Sequence, residues 1–201
     1  GWVNREHFLK NIDRCETWLA ILLEENVMDG VRGPEQLAYH MLMTYVRKNA
    51  DYGNAFYTTY HRFGHNAPLL RMYDKILRLK NIAGRQAQIV SESSLDTLED
   101  LANYAVMTAA LQTMNMKDAT VKKVPPIDRH SAITETMLYS LAINGIGSIA
   151  PFHAVQEIED TFDDIARMKP SNRQGLYRKL VQFAQRVMAT IIMEERKDTD
   201  A

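Results

Sequence analysis

Arg71, Asp74, Lys75 and Arg78 place three cations and one carboxylate within about two helical turns. Arg71, Lys75 and Arg78 are four and three residues apart, so in a helix they share one side. Asp74 lies three residues after Arg71 and four before Arg78. Such a face can close on itself as a salt-bridge network, stay a solvated charged surface, or hold a phosphate beside a metal ligand. Further along, Asp96 and Asp100 stand at i and i+4, with Glu99 beside Asp100 and Glu92 one turn before Asp96. Like charges at that spacing cost about 0.2–0.5 kcal/mol, and a helix N-terminus offsets Asp96 better than Asp100. A carboxylate pair facing another helix suits magnesium or manganese, hard ions that take oxygen ligands. An acidic first turn of ordinary capping value is the plainer alternative.

Asp51-Tyr52-Gly53 follows Lys48. Tyr52 or Phe56 offers a ring that can stack on a base, although core packing is the commoner use of such rings. His61 and His65 are four apart, but no third ligand accompanies them, so zinc is not expected. The sequence has no glycine-rich phosphate loop, zinc-ribbon spacing or nucleophile elbow. Metal-assisted attack by water suits this inventory better than covalent catalysis.

Helices must position these groups. The chain has 201 residues with six prolines, nine glycines and eleven methionines, and strand-like alternation is nearly absent. An all-α fold is expected. Asn4 caps a first helix to about Glu25, and Pro34 opens a second to about Lys48 with Leu37, Met41 and Tyr45 on one face. Residues 49–66, rich in aromatics, read as an ordered loop with at most one short helix. A third helix starts at Asn66 and stops near Gly84. A fourth runs from after Ser94 to about Met114, its buried side traced by Leu98, Leu101, Ala102, Ala105, Ala109 and Leu111 or Gln112. Residues 117–129, with Pro125 and Pro126, read as a linker between a helical core over 1–116 and a C-terminal helical extension over 131–201. That extension holds helices over about 131–143, 151–168 and 171–196.

Twenty-four Lys and Arg nearly cancel 25 Asp and Glu, for a formal charge of -1, which weighs against non-specific nucleic-acid wrapping. The single cysteine, Cys15, permits no disulfide within the chain and reads as a buried small hydrophobe. No apolar run approaches a membrane span and no leader is visible at the start, so the expected location is the cytoplasm, with no membrane partner.

Three strings, KNADYGNAF from Lys48, RMYDKILRLKNI from Arg71 and DTLEDLANYAVM from Asp96, occur in the order that marks a known group. Over about residues 41–111 the chain resembles the nucleotide modification associated domain 1 family of phages and bacteria. That family is held to be related to the all-α nucleoside triphosphate pyrophosphohydrolases, the group of the MazG-like enzymes and dimeric dUTPases. The resemblance implies an antiparallel helical bundle of that type, with extra N- and C-terminal helices. It implies a metal site, magnesium or manganese, at Asp96 and Asp100 with Asp74 assisting, and these three acids as the catalytic residues. Lys48, Asp51, Tyr52, Arg71, Lys75, Arg78 and Asn103 then form the surface for substrate and phosphates. The implied reaction is hydrolysis of a canonical or modified deoxynucleoside triphosphate to monophosphate and pyrophosphate, in a homodimer. Those enzymes usually carry ExxE on the earlier helix and ExxD on the later one. Here the earlier helix offers Glu35 alone or Asp74, and the later reads Asp96-x-x-x-Asp100. That departure motivates a second expectation: a non-catalytic nucleotide-binding or structural partner of a nucleotide or DNA modification enzyme.

Overall fold

The computed structural model describes residues 32–52, 54–85, 92–113, 126–144 and 149–200. Among them the chain forms seven helices and no strand, in agreement with the all-α expectation. In chain order they are α1 (Pro34–Tyr52), α2 (Ala55–Phe63), α3 (Asn66–Arg85), α4 (Glu92–Gln112), α5 (Pro126–Asn144), α6 (Val155–Ala166) and α7 (Arg173–Asp200). The helix expected over Asn4–Glu25, with Cys15, lies outside the described residues, as do Gly53 and residues 117–125 of the expected linker.

The stretch expected to be a loop is mostly helical. α1 continues through Asp51 and Tyr52, and α2 begins three residues later. Asn54 adopts the left-handed conformation at φ 60° between them, a region that asparagine tolerates better than most residues. Phe56 and Tyr57 then bury on one side of α2 while His61, Arg62 and Phe63 stay exposed. Gly64, at φ 82°, ends the helix and donates its N–H to the Tyr60 carbonyl at 2.7 Å. The linker also gives way at its end. Pro126 is the first residue of α5, where its missing N–H costs no helical bond. At the start of α7, Asn172 Oδ1 accepts from the Gly175 N–H at 3.1 Å, a side-chain cap.

α4 is the central helix. Leu98, Leu101, Ala102, Ala105, Ala109 and Leu111 are buried, and so are Val106, Met107 and Ala110 on its other sides. Its most extensive interface is with α7, through a face that includes Leu176, Leu180, Phe183, Val187, Met188 and Ile191, all buried. α3 runs antiparallel to α4, since Lys75 reaches Asp100 while Met72, earlier on α3, meets Thr108, later on α4. One continuous core takes residues from all seven helices, Leu37, Tyr57, Met72, Leu138, Ile158 and Leu180 among them. On α3, Ile76 and Leu79 join it, whereas Leu70 and Leu77 are exposed. Among the described residues no helix is long and apolar enough to cross a membrane.

Candidate functional site

Three helices bring their charges together at Asp100. Its Oδ1 accepts from Lys48 Nζ of α1 and its Oδ2 from Lys75 Nζ of α3, each at 3.0 Å. The Asp100 and Lys75 side chains are each 25% exposed, so water screens this bridge only partly. For Lys48, burial works against the charge, but the hydrogen bond and field of Asp100 outweigh it and raise its pKa above the ordinary lysine value. Helical order explains the convergence. Lys48 sits in the last turns of α1, and Lys75 and Asp100 lie on facing sides of the antiparallel α3 and α4.

These three residues line a pocket of about 360 Å³. Arg71, one turn before Lys75, adds a third cation, and Asn103, one turn after Asp100, adds an amide. The remaining wall is largely aromatic. Phe56 and Tyr104 stack at 5.8 Å between centroids, and Tyr52, 70% exposed, stands at the rim. The Asn103 amide donates only a long contact, 3.5 Å to the Met41 carbonyl, and its Oδ1 is buried with no hydrogen-bond partner. A buried acceptor left unpaired is costly to stability.

Six residues expected at the site, Lys48, Tyr52, Arg71, Lys75, Asp100 and Asn103, therefore share this pocket. Asp51, Asp74, Arg78 and Asp96 do not line it and are exposed. The salt-bridge network open to α3 from its spacing is not formed within the helix, because Lys75 pairs across to α4 instead. Among the described residues no three His, Cys, Asp or Glu side chains come together as a metal-binding group. Of the three acids expected to hold a metal, Asp74 and Asp96 are exposed outside the pocket, and both Asp100 oxygens accept from lysines. Glu99, next to Asp100 and about 100° around α4, does not line the pocket and meets His40 Nε2 at 2.9 Å and Arg32 at 3.7 Å.

Tyr45, Asn49 and Tyr104 also line the pocket and were not singled out as site residues. Tyr104 carried a readable signal: it is four residues after Asp100 and must share its helix face. Tyr45 and Asn49 tie the pocket to a buried polar network. Tyr45 Oη meets Tyr57 Oη at 2.9 Å and Ser131 Oγ at 3.2 Å, and Tyr57 Oη also pairs with Thr134 Oγ1. Asn49 Nδ2 donates to the same Ser131 Oγ at 3.1 Å. Burial raises the Tyr45 phenol to about 12 and pushes Tyr57 well above its ordinary value, so both remain neutral donors. Behind Tyr57, the buried His130 ring stacks on Tyr57 at 5.5 Å and on His61 at 5.3 Å. Its Nδ1 has no hydrogen-bond partner, and burial lowers its pKa to about 4, helped by the fields of His61, Arg129 and Arg173.

The class of protein so defined is an all-α helical bundle with a cationic, aromatic-walled pocket between four of its helices. Residues 48–111, about a third of the chain, match the family model described as nucleotide modification associated domain 1. The matched segment starts at Lys48 and includes Arg71, Lys75, Asp100 and Asn103, so most of the pocket comes from it. By its description, the match links this segment to nucleotide modification. Neither a curated protein nor a solved structure matches the chain.

Proposed function

We propose that this chain is a nucleotide-handling protein that holds a nucleoside phosphate in the pocket between α1, α2, α3 and α4. The observation that carries the reading is the convergence of Lys48, Arg71 and Lys75 with a single carboxylate inside an aromatic wall. Three cations against one acid leave a positive excess for phosphate, and arginine and lysine offer a planar fork and a mobile point charge. Tyr52 at the rim and the Phe56–Tyr104 pair supply faces for a base. The family match over 48–111 supports the same ligand class.

A stronger form of the reading is hydrolysis of a canonical or modified deoxynucleoside triphosphate to monophosphate and pyrophosphate, dependent on magnesium or manganese. What supports it is the relation held between the resembling family and the all-α pyrophosphohydrolases; the setting in this reading is the cytoplasm of a phage or bacterial system. The second reading is a non-catalytic binding or structural partner of a nucleotide or DNA modification enzyme. One specific observation favours it: of the three acids, only Asp100 reaches the pocket, and two lysines hold it.

Titration calorimetry with canonical and modified nucleoside phosphates tests the common claim. Saturable binding supports it, and no binding across the panel at millimolar ligand overturns it. Pyrophosphate release with magnesium or manganese, at high protein concentration, separates the two forms. Product above background establishes the hydrolase, and binding without product establishes the partner.

A further inference from the structure

Charge in this pocket is unevenly engaged, and that division bears on which phosphate chain fits; the inference rests on the nucleotide-binding reading above, in its non-catalytic form. Lys48 and Lys75 are both held by Asp100 at 3.0 Å. Arg71, half-buried in the same pocket, forms no hydrogen bond or ion pair among the described residues. An incoming anion therefore meets one unengaged cation, and a guanidinium fork can take two oxygens of a single phosphate. The net positive charge of the four groups matches a monophosphate ester, which carries about -1.5 to -2 at neutral pH. A longer phosphate chain brings more charge than the pocket offsets, and it brings it toward the Asp100 carboxylate. The volume of about 360 Å³ also lies at the small end of ligand sites, which run to roughly 1,000 Å³.

We propose that the pocket selects a nucleoside monophosphate, with Arg71 anchoring its phosphate and Asp100 excluding longer phosphate chains. Asp100 thus acts as an internal counter-anion. It keeps the two lysines in place in the free protein and sets an upper limit on the negative charge the site accepts. Asn103 lines the same pocket from one turn further along α4.

The test compares the four canonical deoxynucleosides as mono- and triphosphates, in EDTA so that no metal offsets the triphosphate charge. For the base that binds best, the parent protein should hold the monophosphate at least about 10-fold tighter than the triphosphate, the size of one charge-assisted contact. Asp100→Asn should shrink that ratio by raising triphosphate affinity. Arg71→Lys, which keeps the charge and loses the fork, should weaken monophosphate binding. A parent protein that binds the triphosphate as well as or better than the monophosphate overturns the proposal without the need for any variant. An unchanged ratio in a folded Asp100→Asn protein overturns the role given to Asp100. A parent protein that binds no nucleotide at all instead overturns the function reading beneath it.

Discussion

His130 gives the fold a built-in sensitivity to acid. The ring is 4% exposed and packed between Tyr57 and His61, with Tyr60 edge-on at 6.3 Å and with Arg129 and Arg173 adding positive field. Burial is the main reason its pKa falls to about 4 from 6.5. Because the folded value lies below the unfolded one, the unfolded chain takes up the proton first. Stability is then full above pH 6.5, declines as pH falls from 6.5 toward 4, and levels off below that. At about 1.4 kcal/mol per unit, the whole loss is about 3 kcal/mol, of which about 2 is reached by pH 5. His61 and His65, also lowered by burial, act in the same direction. Urea unfolding of the parent and of His130→Phe, at pH 7.5 and pH 5.0, isolates the term. The variant keeps an aromatic ring for the stack and has no proton to gain. It should therefore lose about 2 kcal/mol less than the parent on acidification, whatever its stability at pH 7.5. Equal losses in the two proteins would refute the reasoning.

Other substitutions probe the bundle and the pocket. Asp100→Asn leaves Lys48 and Lys75 facing each other without their carboxylate. Since the bridge is partly solvated, urea unfolding should show a loss of about 1–2 kcal/mol, below the 3–5 typical of a fully buried pair. Tyr57→Phe removes the hydroxyl that links Tyr45 to Thr134 in a buried network; it should cost about 1–2 kcal/mol by the same assay. Leu180→Ala, on the α7 face of the core, should cost about 2–5 kcal/mol by thermal or urea unfolding. The exposed Phe63, Leu70 and Leu77 leave apolar surface that a second copy can cover. Light scattering at micromolar concentration should report about twice the 23.1 kDa chain mass, and a monomer throughout would remove the dimer.

The sequence made the helices and half of the pocket legible for the same reason: helical period. Leu98, Leu101, Ala102 and Ala105 mark a buried face, and Asp100 and Asn103 lie on its margin, so they had to meet neighbouring helices. Lys75 and Arg71 share a face of α3 and both enter the pocket. Asp96 shares the Asp100 face but lies about 6 Å nearer the helix start, beyond the pocket. Arg78 likewise stands outside it, roughly 10 Å along the α3 axis from Arg71. Asp74 is about 100° around the helix from Lys75, and it stays exposed. Periodicity gives direction around an axis, but the depth at which two helices cross depends on tertiary packing. α2 was hidden because Asp51-Tyr52-Gly53-Asn54 has turn composition and α2 itself is only nine residues long. Its aromatic side chains find their place only once Tyr57 meets Tyr45, Thr134 and His130, partners far away in sequence.

A crystal of the protein soaked with a deoxynucleoside monophosphate tests the central claim most directly. The account predicts the phosphate within hydrogen-bond distance of Arg71 and Lys75, with the base against Tyr52 or the Phe56–Tyr104 pair and near the Asn103 amide. Nucleotide bound at another surface, with Arg71, Lys75 and Asp100 left as they are in the free protein, would contradict it.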